Sequence, residues 1–164
     1  MGRRCGRSAA VNARLTAALV AVAEAMAPAR DPWWVIGSAA VALHGAAGVQ
    51  ARDVDVMLSV ADAEALAARL RIDFARREAD ALFRSGRFLE WHGAAMPVEF
   101  LADFAFRSRN GWRPVRFATR ETIVVEGAVT AGAGAQVFVP GRAELRALLT
   151  AFGRDKDLAR AALL

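Results

Sequence analysis

The stretch "WVIGSAAVALHGAAGVQARDVDVMLS", Trp34 to Ser59, decides how this chain folds. It opens as a short aromatic and β-branched strand, turns at Gly37 and Ser38 into a helical run closed by Gly45, and resumes as the strand "DVDVMLS". Residues two apart on a strand face the same side, so Val54 and Val56 point into a core while Asp53 and Asp55 project together from the opposite face. Desolvating carboxylates is costly unless a counter-charge is near. A divalent cation would supply one: Mg²⁺ takes hard oxygen ligands, typically one or two carboxylates plus the phosphate oxygens of a substrate, and two carboxylates at this spacing can share two such ions. Mn²⁺ suits the same donors. The plainer alternative is an acidic turn paired with the adjacent Arg52.

Upstream of these acids, the break after "WVI" has the character of a phosphate cradle. Gly37 lets a bulky anion approach the backbone, Ser38 offers a hydroxyl, and the first turn of a helix leaves N–H groups unsatisfied. The alternative is an ordinary strand-to-helix turn with Ser38 as N-cap. "GSAAVALHG" lacks the Gly-Lys-Ser/Thr of a P-loop and the glycine spacing of a dinucleotide fingerprint. A third acid, Glu99, stands in "PVEFLAD" between core-facing Val98 and Phe100, with Asp103 as the alternative. If that strand lies beside "DVDVM", three carboxylates converge that could bind metal and accept a proton from an attacking hydroxyl.

Outward from this region, 164 residues fit one domain, 1–164, with a frayed tail over 1–11 and two C-terminal helices over 141–164 packing on the rest. A hydrophobic share of 55% with 24% charged residues is that of a folded chain. The formal charge is +5, and Lys156 is the one lysine among 22 basic residues. Such a balance favours phosphate-bearing partners, without an aromatic RNA-binding signature. Lys156 itself reads either as a phosphate ligand or as a surface partner of Asp155 or Asp157. Cys5 is the single cysteine, which excludes an internal disulfide and a cysteine-based metal cluster and fits a reducing cytoplasm. The apolar run Leu15 to Ala27 is too short for a membrane span and, interrupted by Glu24, reads as a core-covering helix and not as a leader peptide.

The expected order is a helix over about 12–27, a strand over 33–36, a helix over 39–44, the acidic strand, and a helix over 62–72. Two short strands, "ALFRS" and "RFLEWHG", read as a hairpin about Gly86. "PVEFLAD" follows, then an arginine-rich loop over 107–116 that could reach an acceptor. Strands "TIVVEG" and "AQVFVP" flank a glycine-rich turn, and helices over 142–152 and 155–164 end the chain. His44 and His92 read as local hydrogen-bonding residues. The class is α/β, a mixed β-sheet flanked by α-helices, because the middle strands are too closely spaced for helical crossovers.

"GSAAVALHG", "RDVDVML" and "VEF" in this order resemble the nucleotidyltransferase superfamily that includes DNA polymerase beta. The resemblance covers about Trp33 to Leu101. It is closest to a small bacterial branch, the minimal nucleotidyltransferases and the AbiEii-like toxins of toxin–antitoxin systems, and the terminal "GRDKDLARAALL" is similar to the ending common there. The resemblance implies a nucleotidyltransferase-like fold and transfer of a nucleoside monophosphate from an NTP to a hydroxyl acceptor, on RNA, protein or a small molecule. It places Gly37 and Ser38 on the β- and γ-phosphates, Asp53 and Asp55 on two Mg²⁺ ions, and Glu99 on the catalytic ion and the acceptor's proton. An antitoxin protein would be a partner. The chain departs from its relatives in "RAELRALLTAF", which carries Arg142 and Arg146 where many have a lysine, and in having glutamate where aspartate is commoner. A non-catalytic module that senses nucleotide or binds protein is the competing reading. An antibiotic-modifying enzyme would need an acidic pocket, of which this basic chain shows little sign.

Overall fold

The computed structural model describes residues 12–76, 78, 80–126 and 134–164. The tail over 1–11 and most of the glycine-rich turn lie outside them. Helix α1 (Ala13–Ala25) is capped by the Asn12 carboxamide, which accepts from the Arg14 amide at 2.9 Å. Its buried stripe of Leu15, Ala18, Leu19 and Val22 packs in the core, as expected of a core-covering helix. Among the described residues no helix is long and apolar enough to cross a membrane.

The central sheet has the order β1 (Trp34–Ile36), β2 (Val54–Leu58), β5 (Val98–Ala102), β4 (Arg87–Trp91). β2 and β5 are parallel and the other two pairings antiparallel, so the sheet is mixed. Its two faces differ by the strand alternation. Val54, Val56, Val98 and Phe100 are buried with α1, α2 (Gly37–Leu43) and α3 (Val60–Leu70) in the main core. Register then stacks the other face into two rows: Ile36, Asp55, Glu99 and Glu90, and behind them Trp34, Met57, Leu101 and Phe88. Met57, Leu101 and Phe88 belong to a second apolar cluster with Phe83, Phe104 and Phe106.

The expected hairpin about Gly86 does not form. β3 (Phe83–Arg84) and β4 both pair with the chain over 98–106, in one continuous antiparallel register: Arg84 opposite Ala105, Arg87 opposite Ala102. They are a single ribbon, kinked where Asp103 adopts a left-handed φ of 51°. A Cβ on Gly86 would meet the Asp103 Cβ at 2.9 Å, so Gly86 serves close approach of the two strands and not a chain reversal. Beyond the kink, β3 joins β6 (Ala105–Ser108) and β7 (Gly111–Pro114) in a second sheet. The arginine-rich "loop" is therefore largely a β6–β7 hairpin, with Gly111 at φ 103° behind a tight turn.

β8 (Glu121–Val125) and β9 (Ala135–Val139) form an antiparallel ribbon, and α4 (Arg142–Phe152) and α5 (Asp155–Ala161) finish the fold. Glu144 ties α4 to the strap over 117–121: its carboxylate accepts from the Ala118 and Thr119 amides, each at 2.8 Å, and from the Thr119 hydroxyl. Desolvation pushes this carboxyl upward, the three hydrogen bonds outweigh it, and the pKa is lowered from its ordinary 4.5. A depressed carboxylate stabilises the fold above the unfolded pKa and loses that contribution as pH falls through the folded one. Acid unfolding of Glu144→Gln, followed by circular dichroism, should accordingly be less steep below about pH 4.5 than in the wild type.

Candidate active site

A cleft of about 540 Å³ opens where the acidic row of the central sheet passes out from under the second apolar cluster. Gly37, Ser38, Asp53, Asp55, Glu99 and Lys156 all line it. Residues from four separate stretches of the chain thus meet in one place. Asp55 and Glu99 are register partners on adjacent parallel strands, which puts their side chains side by side on the same face. Asp53 stands just before β2, half-buried like the other two. Asp103, the alternative third acid, sits instead at the ribbon's kink against Gly86.

Gly37 is required here for a reason the sequence did not disclose. Its φ is +64°, and a Cβ added to it would lie 2.7 Å from the Asp55 Oδ2. The glycine therefore makes room for the carboxylate as well as for any anion. α2 begins at Gly37 with Ile36 as its N-cap residue, so Ser38 falls inside the first turn, buried, and is not the cap. His44 hydrogen-bonds the Pro140 carbonyl at 2.8 Å and accepts through its own carbonyl from Arg142 at 2.6 Å, so its bonds tie the end of α2 to the distant start of α4 and are not the local ones expected.

The opposite rim is cationic. Arg154 is the residue before α5, Lys156 stands in its first turn and Arg160 in its last, and Arg52 also lines the cleft. Asp157 is fully buried and chelated by Arg154 through Nε at 2.6 Å and a terminal nitrogen at 3.0 Å. That pair leaves Lys156 lining the cleft, in place of the surface ion pair the plainer reading expected. The roles of Arg154 and Arg160 were missed in the sequence, although Lys156 and Arg160 stand four apart on one helix face. The floor is apolar, built by Phe83, Phe104, Leu149 and Phe152. Arg154→Ala would leave the Asp157 carboxylate buried without its counter-ion. With the arginine partly solvent-exposed, the expected loss is about 2 kcal/mol of unfolding free energy in urea, and Asp157→Asn should cost less.

The donors present suit a hard divalent cation. All are carboxylate oxygens, and Asp55 and Glu99 can bind from neighbouring strands while phosphate oxygens complete the shell. Among the described residues no three His, Cys, Asp or Glu side chains are drawn into a ready-made ligand cage. The expected convergence of Asp53, Asp55 and Glu99 is thus not a preformed three-carboxylate site: all three line one cleft, with Asp55 and Glu99 side by side.

No family model and no curated protein matches the chain. Two solved structures do. A protein from Thermotoga maritima described as a nucleotidyltransferase superposes with a TM-score of 0.58 at 24% identity, over 80% of this chain and 81% of that one. The antibiotic-resistance factor ANT(2'')-Ia superposes with a TM-score of 0.52 at 15% identity, over 92% of this chain and 83% of that one. This is the nucleotidyltransferase fold. At these identities the likeness speaks for the architecture of the nucleotidyltransferases: a mixed sheet flanked by helices, as the sequence resemblance implied. It does not reach to the AbiEii-like branch.

Proposed function

We propose that this chain is a metal-dependent nucleotidyltransferase that uses an NTP and a hydroxyl acceptor. The observation that carries the reading is the side-by-side register of Asp55 and Glu99 against a Gly37 whose missing side chain leaves room for the Asp55 carboxylate, in a cleft with a cationic far rim. Asp53, Asp55 and Glu99 would hold Mg²⁺, with Mn²⁺ as a substitute. Bound there, the metal supplies charge neutralisation for the phosphates and a lowered pKa for the attacking hydroxyl.

The chain's own groups account for the remainder. Gly37 and Ser38 receive the β- and γ-phosphates, and Lys156 and Arg160 add positive charge where pyrophosphate develops its negative charge. The acceptor oxygen forms a bond to the α-phosphorus as the bond from that phosphorus to the bridging oxygen breaks. Pyrophosphate leaves with that electron pair, and Glu99 takes the acceptor's proton. The cationic rim disfavours a cationic small-molecule acceptor and favours an anionic one.

Calorimetry with NTP and Mg²⁺ or Mn²⁺ tests the binding half of this reading, and transfer of label from an α-labelled NTP to cell extract tests the chemistry. Metal-dependent binding with no acceptor labelled would favour the non-catalytic module. No binding with either metal would end the enzymatic reading. The toxin role implied by the sequence resemblance, acting in the cytoplasm with an antitoxin as partner, predicts that induced expression arrests bacterial growth. Unimpeded growth at high expression would count against it.

A further inference from the structure

The outer strands of this fold are not protected alike. β7 carries Arg113 and Pro114, β3 is two residues long, and β4 ends the central sheet with Arg87 and Glu90 in its run. Charge, proline and short length are the usual devices that keep an edge strand from pairing with another chain. β8 uses none of them beyond its first residue. After Glu121 it runs Thr122, Ile123, Val124 and Val125, residues of high strand propensity with no charge among them.

β8 is also the outermost strand on its side of the molecule. It pairs with β9, and β9 packs in turn against β1 and α1. Among the described residues no backbone hydrogen bond outside the ladder with β9 reaches 121–126, so every second N–H and C=O of β8 points off the sheet. The ribbon's inner face is satisfied, with Val125, Val137 and Val139 buried in the main core. Its outer edge is not. Val124 is 58% exposed, more than any other large apolar side chain among the described residues.

We propose that β8 pairs with β8 of a second copy of this chain, antiparallel about a two-fold axis at Ile123, so that two ribbons join into one four-stranded sheet. Charge selects both the partner and the register. Centring on Ile123 pairs the whole strand with itself: Ile123 opposite Ile123, Thr122 opposite Val124, Glu121 opposite Val125. Continued by one residue at each end, the same register sets Arg120 of each copy opposite Glu126 of the other. Both are exposed, and alternation puts them on the outer face with Thr122 and Val124. The Arg120 guanidinium sits 3.4 Å from the Phe138 ring centroid and donates through Nε to the Trp33 carbonyl at 3.3 Å, which fixes its place and leaves its terminal nitrogens for a carboxylate. Among the described residues no carboxylate is paired with it. None of these residues lines the cleft, so the pairing stands apart from the nucleotidyltransferase reading.

Sedimentation equilibrium of the full chain over a concentration series tests it, with melting scans to establish that each variant folds. The wild type should reach twice the monomer mass of 17.5 kDa. Val124→Lys places a charge at the centre of the edge and should leave a folded monomer. Glu126→Arg and Arg120→Glu each replace two opposite-charge contacts by two like-charge ones, and each should dimerise about 10-fold more weakly than the wild type. Mixed in equal amounts, these two variants meet with complementary charges at both ends and should recover the wild-type affinity as a heterodimer. That recovery is a property of this register and of no other surface. A wild type that stays monomeric up to about 1 mM overturns the proposal. So does a dimer indifferent to Val124→Lys and Glu126→Arg, which would join by another face, or a mixture that associates no better than its components. Should Arg120→Glu not fold, the two variants at exposed positions 124 and 126 decide the question on their own.

Discussion

Asp55→Ala should reduce nucleotidyl transfer by at least about 10³-fold, as removal of a principal electrostatic group does elsewhere. The residue stands at the centre of the acidic row, between Ile36 on one neighbouring strand and Glu99 on the other. No other described carboxylate occupies its register position. Val54 and Val56 are fully buried on the opposite face and remain in place, so the variant retains the core of β2 and folds. Binding gives an independent reading. Mg²⁺–NTP at about 100 times its Kd adds about 2.7 kcal/mol to a protein that binds it only when folded. For a chain of this length that is a Tm rise of roughly 5–10 °C. Wild type should show this rise in a melting scan and Asp55→Ala should not. Equal transfer, or an equal thermal shift, in the two proteins would remove the metal-site assignment.

Gly37→Ala should cost about 2–5 kcal/mol of stability and most of the activity. Two effects add. A left-handed backbone at φ +64° penalises an L side chain by about 1–2 kcal/mol. The new methyl would also stand 2.7 Å from Asp55 Oδ2, closer than van der Waals contact permits, and crowding of this kind costs about 1–3 kcal/mol. Either the carboxylate or the start of α2 must move, and both are placed on substrate in the proposed site. The two effects separate in a double-mutant cycle: in an Asp55→Ala background the clash is gone and Gly37→Ala should cost only the backbone share, about 1–2 kcal/mol. Additive costs in urea unfolding would mean that the glycine and the carboxylate do not meet.

The elements on which these predictions rest differ in how visible they were beforehand. The alternation Asp53–Val54–Asp55–Val56 reports which side of β2 is core because period 2 is a local property of any strand, and burial agrees. α4 starts and ends where the pattern from Arg142 to Phe152 said it would, closed by Gly153 at φ 74°. The segment about Gly86 misled because a glycine between two short strands signals both a hairpin and a close approach, and only the partner strand distinguishes them. Here the partner is the chain over 98–106, whose own break at Asp103 lies opposite. The arginine-rich stretch was read as a loop because its charges mask the β6–β7 alternation, in which Trp112 and Arg107 face one side and Phe106 the other.

By itself, the sequence determined the local chemistry: a strand with two acids on one face, a glycine–serine break, a third acid between core residues, and the α/β order of elements. Each depends on side-chain period and turn propensity over a few residues. Tertiary structure decided that β5 pairs in parallel with β2 so that Glu99 falls beside Asp55, that the start of α5 brings Arg154 and Lys156 to the opposite rim, and that β3 and β4 run as one kinked ribbon against the chain over 98–106. Those placements depend on which distant surfaces bury each other, a choice made by packing and chain closure across dozens of residues and written in no single segment.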